Sequence, residues 1–520
     1  MKSRNIAIAL LLTAVFSLSG CLMSGMAFMG EAEMGMAEPA EEAMPLQPSE
    51  AWNTEEYNRI GELPFLSVMD NPLSTLSIDV DTASYSNVRR FLTSGQMPPK
   101  DAVRIEEFIN YFSYDYADPG PDVPFSFTAE LSDCPWSSEH MMLHLGLQGR
   151  RIALEQLPPN NLVFLLDVSG SMNGRDKLPL LKKGLKMLVD QMRPVDRVAV
   201  VVYAGAAGLV LPSTSGDDKP TILAALEQLQ AGGSTAGGAG IKLAYQVAER
   251  YFDPRANNRV ILATDGDFNV GISSQGALVR LIEEKRSSGV YLTVLGFGTG
   301  NYKDSRMESL ADSGNGNYAY IDSEMEARKA LVAELGGTLY TIANDVKIQI
   351  EFNPAVVDSY RLIGYENRLL RAEDFADDTK DAGEMGAGHS VTVLYQLKMA
   401  GEAEAARREL RYQSSELREE AESSNELLLI KFRYKKPGEQ QSRYVEEPIL
   451  FDPLPLEKTS DSYRFSAAVT ALGLILRDSV YRGTADYDLV LQLAGQALGQ
   501  DREGYRKEFL GLVQTAEQLQ

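Results

Sequence analysis

The run Asn161-Leu-Val-Phe-Leu-Leu-Asp167-Val-Ser169-Gly-Ser171-Met172 constrains this chain more than any other stretch. Its apolar residues are uninterrupted from Leu162 to Leu166, which reads as a strand buried on both faces, as in a parallel sheet. The strand empties into a polar loop where an aspartate and two hydroxyls stand at alternate positions. These are small, hard oxygen donors, and they suit a divalent cation such as Mg²⁺.

The sequence around that strand alternates. Strands are expected at Leu162–Leu166, Arg197–Tyr203, Arg259–Ala263 and Val290–Gly296, with shorter ones near Leu209 and Tyr318. Helices fall between them. The first carries Leu178, Leu181, Leu185, Leu188, Val189 and Met192 at three- and four-residue spacing, an apolar stripe. Others are expected near Thr221–Leu229, Gly238–Tyr251, Gln275–Ser287, Lys303–Asp312 and Glu324–Leu335. This pattern predicts an α/β fold with a doubly wound, mostly parallel six-stranded sheet over residues 152–337. In such a sheet ligands bind beyond the C-terminal strand ends where the winding reverses. Asp167 ends one apolar strand and Asp265, in Thr264-Asp265-Gly266, ends another. Between them the glycine-rich loop Ala231-Gly-Gly-Ser234-Thr235-Ala-Gly-Gly can bring Thr235 close. Asp167, Ser169, Ser171, Thr235 and Asp265 then supply two carboxylates and three hydroxyls, leaving part of an octahedral shell open. The loop lacks a Gly-Lys-Ser/Thr ending, so it is no phosphate cradle. Asp267 reads equally as an acid behind the ligands or as a solvent-facing residue.

That set resembles the metal-ion-dependent adhesion site of von Willebrand factor type A domains: Asp-x-Ser-x-Ser after the first strand, a Thr on a later loop, and Thr-Asp-Gly after the fourth. Asp-x-Ser-x-Ser alone is weak evidence. All three elements in the right order and spacing are strong evidence. The resemblance implies bound Mg²⁺ (or Mn²⁺ or Ca²⁺) whose shell is completed by an Asp or Glu carboxylate of a protein partner. Neutral hydroxyls would leave the ion its attraction for that incoming charge.

At 520 residues the chain exceeds a single core, and two to four domains are expected. A net charge of -23 argues against a nucleic-acid partner, which calls for a basic face. Residues 1–20 have Lys2 and Arg4, an apolar core from Ile6 to Phe16, and then Leu18-Ser19-Gly20-Cys21. This reads as a secretory signal. Its ending resembles a bacterial lipobox, which implies that Cys21 is lipidated and becomes the mature N-terminus, anchored to a membrane. Leu22 stands where a retention aspartate would, so the expected location is the outer membrane facing the periplasm in a Gram-negative organism, or otherwise the outer face of the cell membrane. With Cys21 so used, Cys134 has no disulfide partner and reads as a small buried hydrophobe. Residues 21–50, rich in Met, Ala, Glu, Gly and Pro, read as a flexible tether.

Residues 51–151 read as a mixed α+β region, 338–455 as a β-rich region and 456–520 as helical. Neither flank has strands enough for an independent sheet, so the two are expected to pair into one β-sandwich with the central domain inserted. Asp79-Val-Asp81-Thr82 resembles the opening of a haloacid dehalogenase site, but the hydroxyl comes one position early and no matching lysine follows. A capped strand-to-helix turn, with Thr82 or Ser84 as the cap, is the better reading. The acidic stretch from Glu373 to Glu384 lacks EF-hand spacing and reads as a solvated loop. His140, His144 and His389 form no ligand or triad spacing. Asp79-Val-Asp-Thr-Ala-Ser-Tyr, Arg104-Ile-Glu-Glu-Phe-Ile-Asn-Tyr, Cys134-Pro-Trp, Tyr203-Ala-Gly-Ala-Ala-Gly-Leu-Val-Leu, Gly296-Phe-Gly-Thr-Gly-Asn and Leu362-Ile-Gly-Tyr-Glu-Asn-Arg together resemble one family of bacterial lipoproteins. In that family a von Willebrand type A domain lies between a characteristic N-terminal region and a C-terminal region of unknown function. The expected role is non-enzymatic: cation-mediated binding of an acidic group on a protein. A metal-dependent hydrolase and an envelope-assembly scaffold with a structural metal are the alternatives.

Overall fold

The computed structural model describes residues 55–520, apart from 121–122, 205, 233–236, 267–274, 300–302, 335–339, 379, 381, 402–416 and 440. The N-terminal flank contributes β1 (Leu66–Ser67), β2 (Leu73–Ser77), α1 (Ala83–Thr93), α2 (Ile105–Tyr111), β3 (Phe125–Cys134) and β4 (Ser137–Gly149). The central segment runs β5 (Asn160–Asp167), α3 (Leu178–Gln191), β6 (Arg197–Tyr203), β7 (Ala207–Ser215), α4 (Lys219–Glu227), α5 (Gly237–Arg250) and β8 (Asn257–Thr264). It continues with α6 (Gln275–Ser287), β9 (Tyr291–Phe297), α7 (Asp304–Ser313), β10 (Tyr318–Ile321) and α8 (Glu324–Arg328). The C-terminal flank adds β11 (Thr341–Phe352), β12 (Val357–Leu362), β13 (Gly383–Gly386), β14 (Ser390–Met399), β15 (Glu426–Lys435), β16 (Arg443–Leu450) and β17 (Pro453–Leu454). Helices Asp461–Arg477, Tyr487–Gln496 and Tyr505–Leu519 follow.

The central sheet has strand order β10-β9-β8-β5-β6-β7. Every pairing in it is parallel except the edge strand β7, which runs antiparallel to β6. This is the doubly wound, mostly parallel six-stranded sheet that the alternating pattern predicts. Successive residues of β5 enter opposite cores: Val163 and Leu165 pack with α5, α6 and α7, while Leu162, Phe164 and Leu166 pack with α3, α4 and α8. Burial on both faces is why the strand reads as an unbroken apolar run. The chain winds from β5 to β6 on one side and returns to β8 on the other, so the reversal lies at the C-terminal end of β5.

The flanks pair across the insertion. β2 lies antiparallel to β11, with Leu76 opposite Ile348, and β4 lies antiparallel to β14, with Leu147 opposite Val391. Both flanking sheets therefore mix strands from before and after the central segment. They face each other over a shared core in which the Phe127 and Phe432 rings stack 3.8 Å apart. The C-terminal helices close the outer face of one sheet together with α1 and α2, burying Trp136, Phe112, Phe465 and Phe509 in a further core. Cys134 lies in that core as a free thiol, and burial pushes it up to about 12. Among the described residues no helix is long and apolar enough to cross a membrane.

Thr82 does stand at the N-cap of α1, but its side chain makes no capping bond. The backbone N–H of Ser84 instead donates to Glu107 Oε2 at 2.8 Å, so a carboxylate from α2 serves the helix N-terminus. Asp81 is equally structural. Its Oδ1 accepts from the Tyr318 N–H at 2.9 Å and its Oδ2 from Arg368 at 3.1 Å, which ties the N-terminal flank to β10.

The family-like motifs of the two flanks meet at this junction. Arg104 pairs with Glu107, Asp304 and Glu308, while Arg368 pairs with Asp81, Glu308 and Asp312. Asn110 donates to Tyr365 Oη at 3.1 Å and to the Thr392 carbonyl at 3.1 Å. Gly364, at φ +74°, lets its backbone lie where a Cβ would fall 2.8 Å from the Glu106 nitrogen. These ion pairs clamp α7 of the central segment between the flanks.

Candidate metal site

Asp167 and Asp265 come together because β5 and β8 are neighbours in register. Leu166 pairs with Ala263, so Asp167 stands beside Thr264 and Asp265 follows one residue on. Both carboxylates are buried. Ser169 is buried, Ser171 is exposed at the rim, and their hydroxyls lie 2.9 Å apart. The Ser169 N–H donates to Asp167 Oδ1 at 2.8 Å, and Thr264 Oγ1 approaches Asp167 Oδ2 at 3.4 Å. Tyr203, at the end of β6, is the strand partner of Asp167. The glycine-rich loop starts toward the same place, since the Gly232 N–H donates to the Val168 carbonyl at 2.8 Å. Thr235 itself, like Asp267 and Cys21, lies outside the described residues.

Two buried carboxylates lie close together here, with the Lys177 ammonium on one of them. Burial and the nearby Asp265 carboxylate raise the Asp167 pKa, while the hydrogen bonds from Ser169 pull it back. Asp265 Oδ1 is buried without a hydrogen-bond partner among the described residues. An orphaned carboxylate oxygen beside a second buried carboxylate fits a cation, and the hydroxyls add neutral donors of the right hardness. Asp167, Ser169, Ser171 and Asp265 are thus suited to hold a divalent ion. Among the described residues no three His, Cys, Asp or Glu side chains converge as a metal group. The set here does not depend on three, because half of these donors are serine hydroxyls.

The sequence reading passed over Lys177. Its Nζ donates to Asp265 Oδ2 at 2.9 Å, with the ammonium side chain largely buried and the carboxylate fully so. Gly298 makes this possible: at φ +74° it has no side chain, and a Cβ there would fall 2.1 Å from Lys177 Cε. The glycines of Gly296-Phe-Gly-Thr-Gly were visible as a motif, and this contact is the physical use of one of them. Thr264 was visible beside Asp265, but its bond to Asp167 depends on strand register.

The other candidate clusters are structural. His144 is buried between Tyr116 Oη at 2.8 Å and Ser466 Oγ at 2.9 Å, and burial lowers it to about 3. His140 stacks on Phe65 and bonds Ser137 Oγ. In the acidic stretch Glu373 pairs with Arg371, Asp378 with Arg433, and Glu384 accepts from Asn315.

Comparison with known proteins agrees with this architecture. The family model of the von Willebrand factor type A domain matches residues 161–334. A model described as von Willebrand factor matches 51–144, and one described as Uncharacterized protein YfbK, C-terminal, matches 337–519. Uncharacterized protein YfbK of Escherichia coli (strain K12) is 44% identical over 471 residues, covering 89% of this chain and 81% of that protein. Inter-alpha-trypsin inhibitor heavy chain H4 of Homo sapiens is 30% identical over 149 residues, 27% of this chain and 16% of that protein. Among solved structures, von Willebrand factor type A from Catenulispora acidiphila is 16% identical and covers 74% of this chain and 89% of that one, with a TM-score of 0.41. The chain belongs to the YfbK family of bacterial proteins, in which a von Willebrand factor type A domain is followed by a characteristic C-terminal domain.

Proposed function

We propose that this protein is a lipid-anchored component of the cell envelope whose central domain binds a divalent cation and, through it, an acidic group on a protein partner. Von Willebrand factor type A domains commonly mediate metal-dependent protein interactions. The observation that carries the reading for this chain is the pair of buried carboxylates, Asp167 and Asp265, flanked by the Ser169 and Ser171 hydroxyls, with Asp265 Oδ1 left without a partner among the described residues. Asp167, Ser169, Ser171, Thr235 and Asp265 would hold Mg²⁺, with Mn²⁺ or Ca²⁺ as substitutes. The ion would supply an open coordination position with a preference for a carboxylate oxygen. Ser171, exposed at the rim, marks the side from which the partner would approach.

The role is binding rather than catalysis. The chain's three histidines all lie outside the central domain, so no imidazole stands ready beside the site as a general base. The anchor would be a lipid on Cys21, with the folded part in the periplasm of a Gram-negative cell or on the outer face of the membrane otherwise.

Titration calorimetry with Mg²⁺ tests the metal step. Wild-type protein is expected to bind one equivalent, and Asp167→Ala to bind none while keeping its far-ultraviolet circular dichroism. A pull-down from envelope extract with and without EDTA tests the partner step. Capture that ignores both EDTA and Asp167→Ala would favour a scaffold with a structural metal.

A further inference from the structure

Lys177 is the N-cap residue of α3, a position that gains nothing from a lysine. Its side chain makes no capping bond, and the helix dipole disfavours a cation at an N-terminus. The side chain serves Asp265 instead. Its ammonium is 13% exposed and donates to Asp265 Oδ2 at 2.9 Å. Its stem passes Gly298, where even a methyl would fall 2.1 Å from Lys177 Cε, so the missing side chain keeps the route to the carboxylate open. A solvated lysine needs no such slot.

This contact uses one oxygen of Asp265 and leaves the other over. Oδ1 is buried without a hydrogen-bond partner among the described residues, on the carboxylate that neighbours Asp167 across β5 and β8. A carboxylate accepts on both oxygens, so an ammonium on Oδ2 and an ion on Oδ1 are compatible. Lys177 therefore does not fill the place of an ion.

Charge decides what the loaded site can take. Asp167, Asp265 and Lys177 carry one net negative charge between them, and a divalent ion turns it into one net positive charge. Without the lysine, the two carboxylates would already neutralise the ion. A further carboxylate would then bring an uncompensated negative charge to a buried site, which is costly. With the lysine, the same carboxylate brings the site to neutrality. The chain as a whole carries -23, a field that disfavours an acidic ligand, so the reversal of sign has to be supplied at the site itself.

Resting on the metal reading above, we propose that Lys177 is the residue that makes the loaded site selective for an anionic ligand. It weakens the hold on the ion and in return keeps one positive charge for an incoming carboxylate. Neutral oxygen donors, such as an amide or a hydroxyl, gain nothing from it.

Titration calorimetry with Mg²⁺ at constant ionic strength tests this in chloride, in acetate, and in chloride with acetamide. Acetate is the carboxylate probe and acetamide its neutral counterpart. Wild-type protein should bind Mg²⁺ about threefold more tightly in acetate than in chloride, and acetamide should leave the affinity unchanged. In chloride, K177M should bind Mg²⁺ about tenfold more tightly than wild type, and acetate should add nothing. K177Q keeps an amide donor for Asp265 but no charge, and it should behave as K177M does. Far-ultraviolet circular dichroism checks that each variant is folded before titration. A K177Q that matches wild type would reduce the lysine to a hydrogen-bond donor and overturn the proposal. Equal Mg²⁺ affinity in all three proteins, or an acetate gain that survives in K177M, would overturn it too, and both leave the metal reading standing. Wild-type protein that binds no Mg²⁺ sinks the metal reading and this proposal with it.

Discussion

Lys177→Met removes the ammonium from Asp265 while keeping a stem of similar length over Gly298. In wild type the charges meet at 2.9 Å with the carboxylate fully buried. At an effective dielectric constant of about 20, their attraction is roughly 6 kcal/mol. Part of that is offset by the cost of desolvating the lysine, which the substitution also removes. Breaking one side of a buried pair generally costs about 3–5 kcal/mol. The lysine here keeps 13% exposure, which places the expected loss near the low end, about 3 kcal/mol. For a domain of this size that corresponds to a fall of roughly 6–12 °C in melting temperature. Scanning calorimetry in EDTA measures it. Adding Mg²⁺ should then restore the variant more than it stabilises wild type, because the ion no longer shares Asp265 with a tethered cation. At 100 times the dissociation constant, a ligand contributes about 2.7 kcal/mol. A loss under about 0.5 kcal/mol in EDTA would refute the account of Lys177 as the charge that holds Asp265. Equal stabilisation of both proteins by Mg²⁺ would refute the competition, leaving the ion pair intact.

Gly298→Ala should also break that pair, because the new methyl meets Lys177 Cε at 2.1 Å and the backbone sits at φ +74°. A cost of about 2–4 kcal/mol is expected from strain and the lost pair together. In a double-mutant cycle with Lys177→Met the two effects should be strongly non-additive, and simple additivity would show that Gly298 acts elsewhere. Acidic pH should stabilise the metal-free protein. Burial, ahead of neighbouring charges, pushes Glu106, Glu107 and Asp312 up to about 7 and Asp304 up to about 6. The folded state thus binds protons that the unfolded chain releases above about pH 4.5, so stability falls as pH rises from there toward 7. His144, lowered to about 3, acts oppositely, as do His140 and His389, which burial also lowers, but the raised carboxylates outnumber them. Urea denaturation in EDTA should therefore give a higher midpoint at pH 5.5 than at pH 7.5, and the reverse order would mean that Arg104 and Arg368 keep those carboxylates ionised throughout.

Much of the candidate metal site could be read directly from the chain. Asp167, Ser169 and Ser171 lie within five residues of one another, so a local loop presents them together whatever the rest of the fold does. Asp265 was legible because a second apolar strand ends there, and a parallel sheet puts such ends on one edge. Lys177 gave no comparable signal. A lysine at a helix start reads as solvated until Gly298, 121 positions further on, is found to give its stem room. Thr82 misled for the same reason: a hydroxyl at an N-cap position is a local cue, but the bond went to a carboxylate on another helix.

The sequence by itself determined the central sheet, since burial on both faces and on one face leave different periodicities in a strand and a helix. It also determined that the flanks must cooperate, since neither had strands enough alone. Tertiary structure decided which strands meet: β2 with β11 and β4 with β14, across about 240 to 270 residues of chain. It also decided that Arg104 and Arg368, from opposite flanks, share Glu308 on α7. Pairing between distant segments depends on total buried area and on compensation of buried charge, and neither quantity is written in any local stretch of residues. The apolar strand ending at Asp167 was therefore legible as the edge of a candidate cation site, while the Lys177 ammonium beside it became visible only in the folded chain.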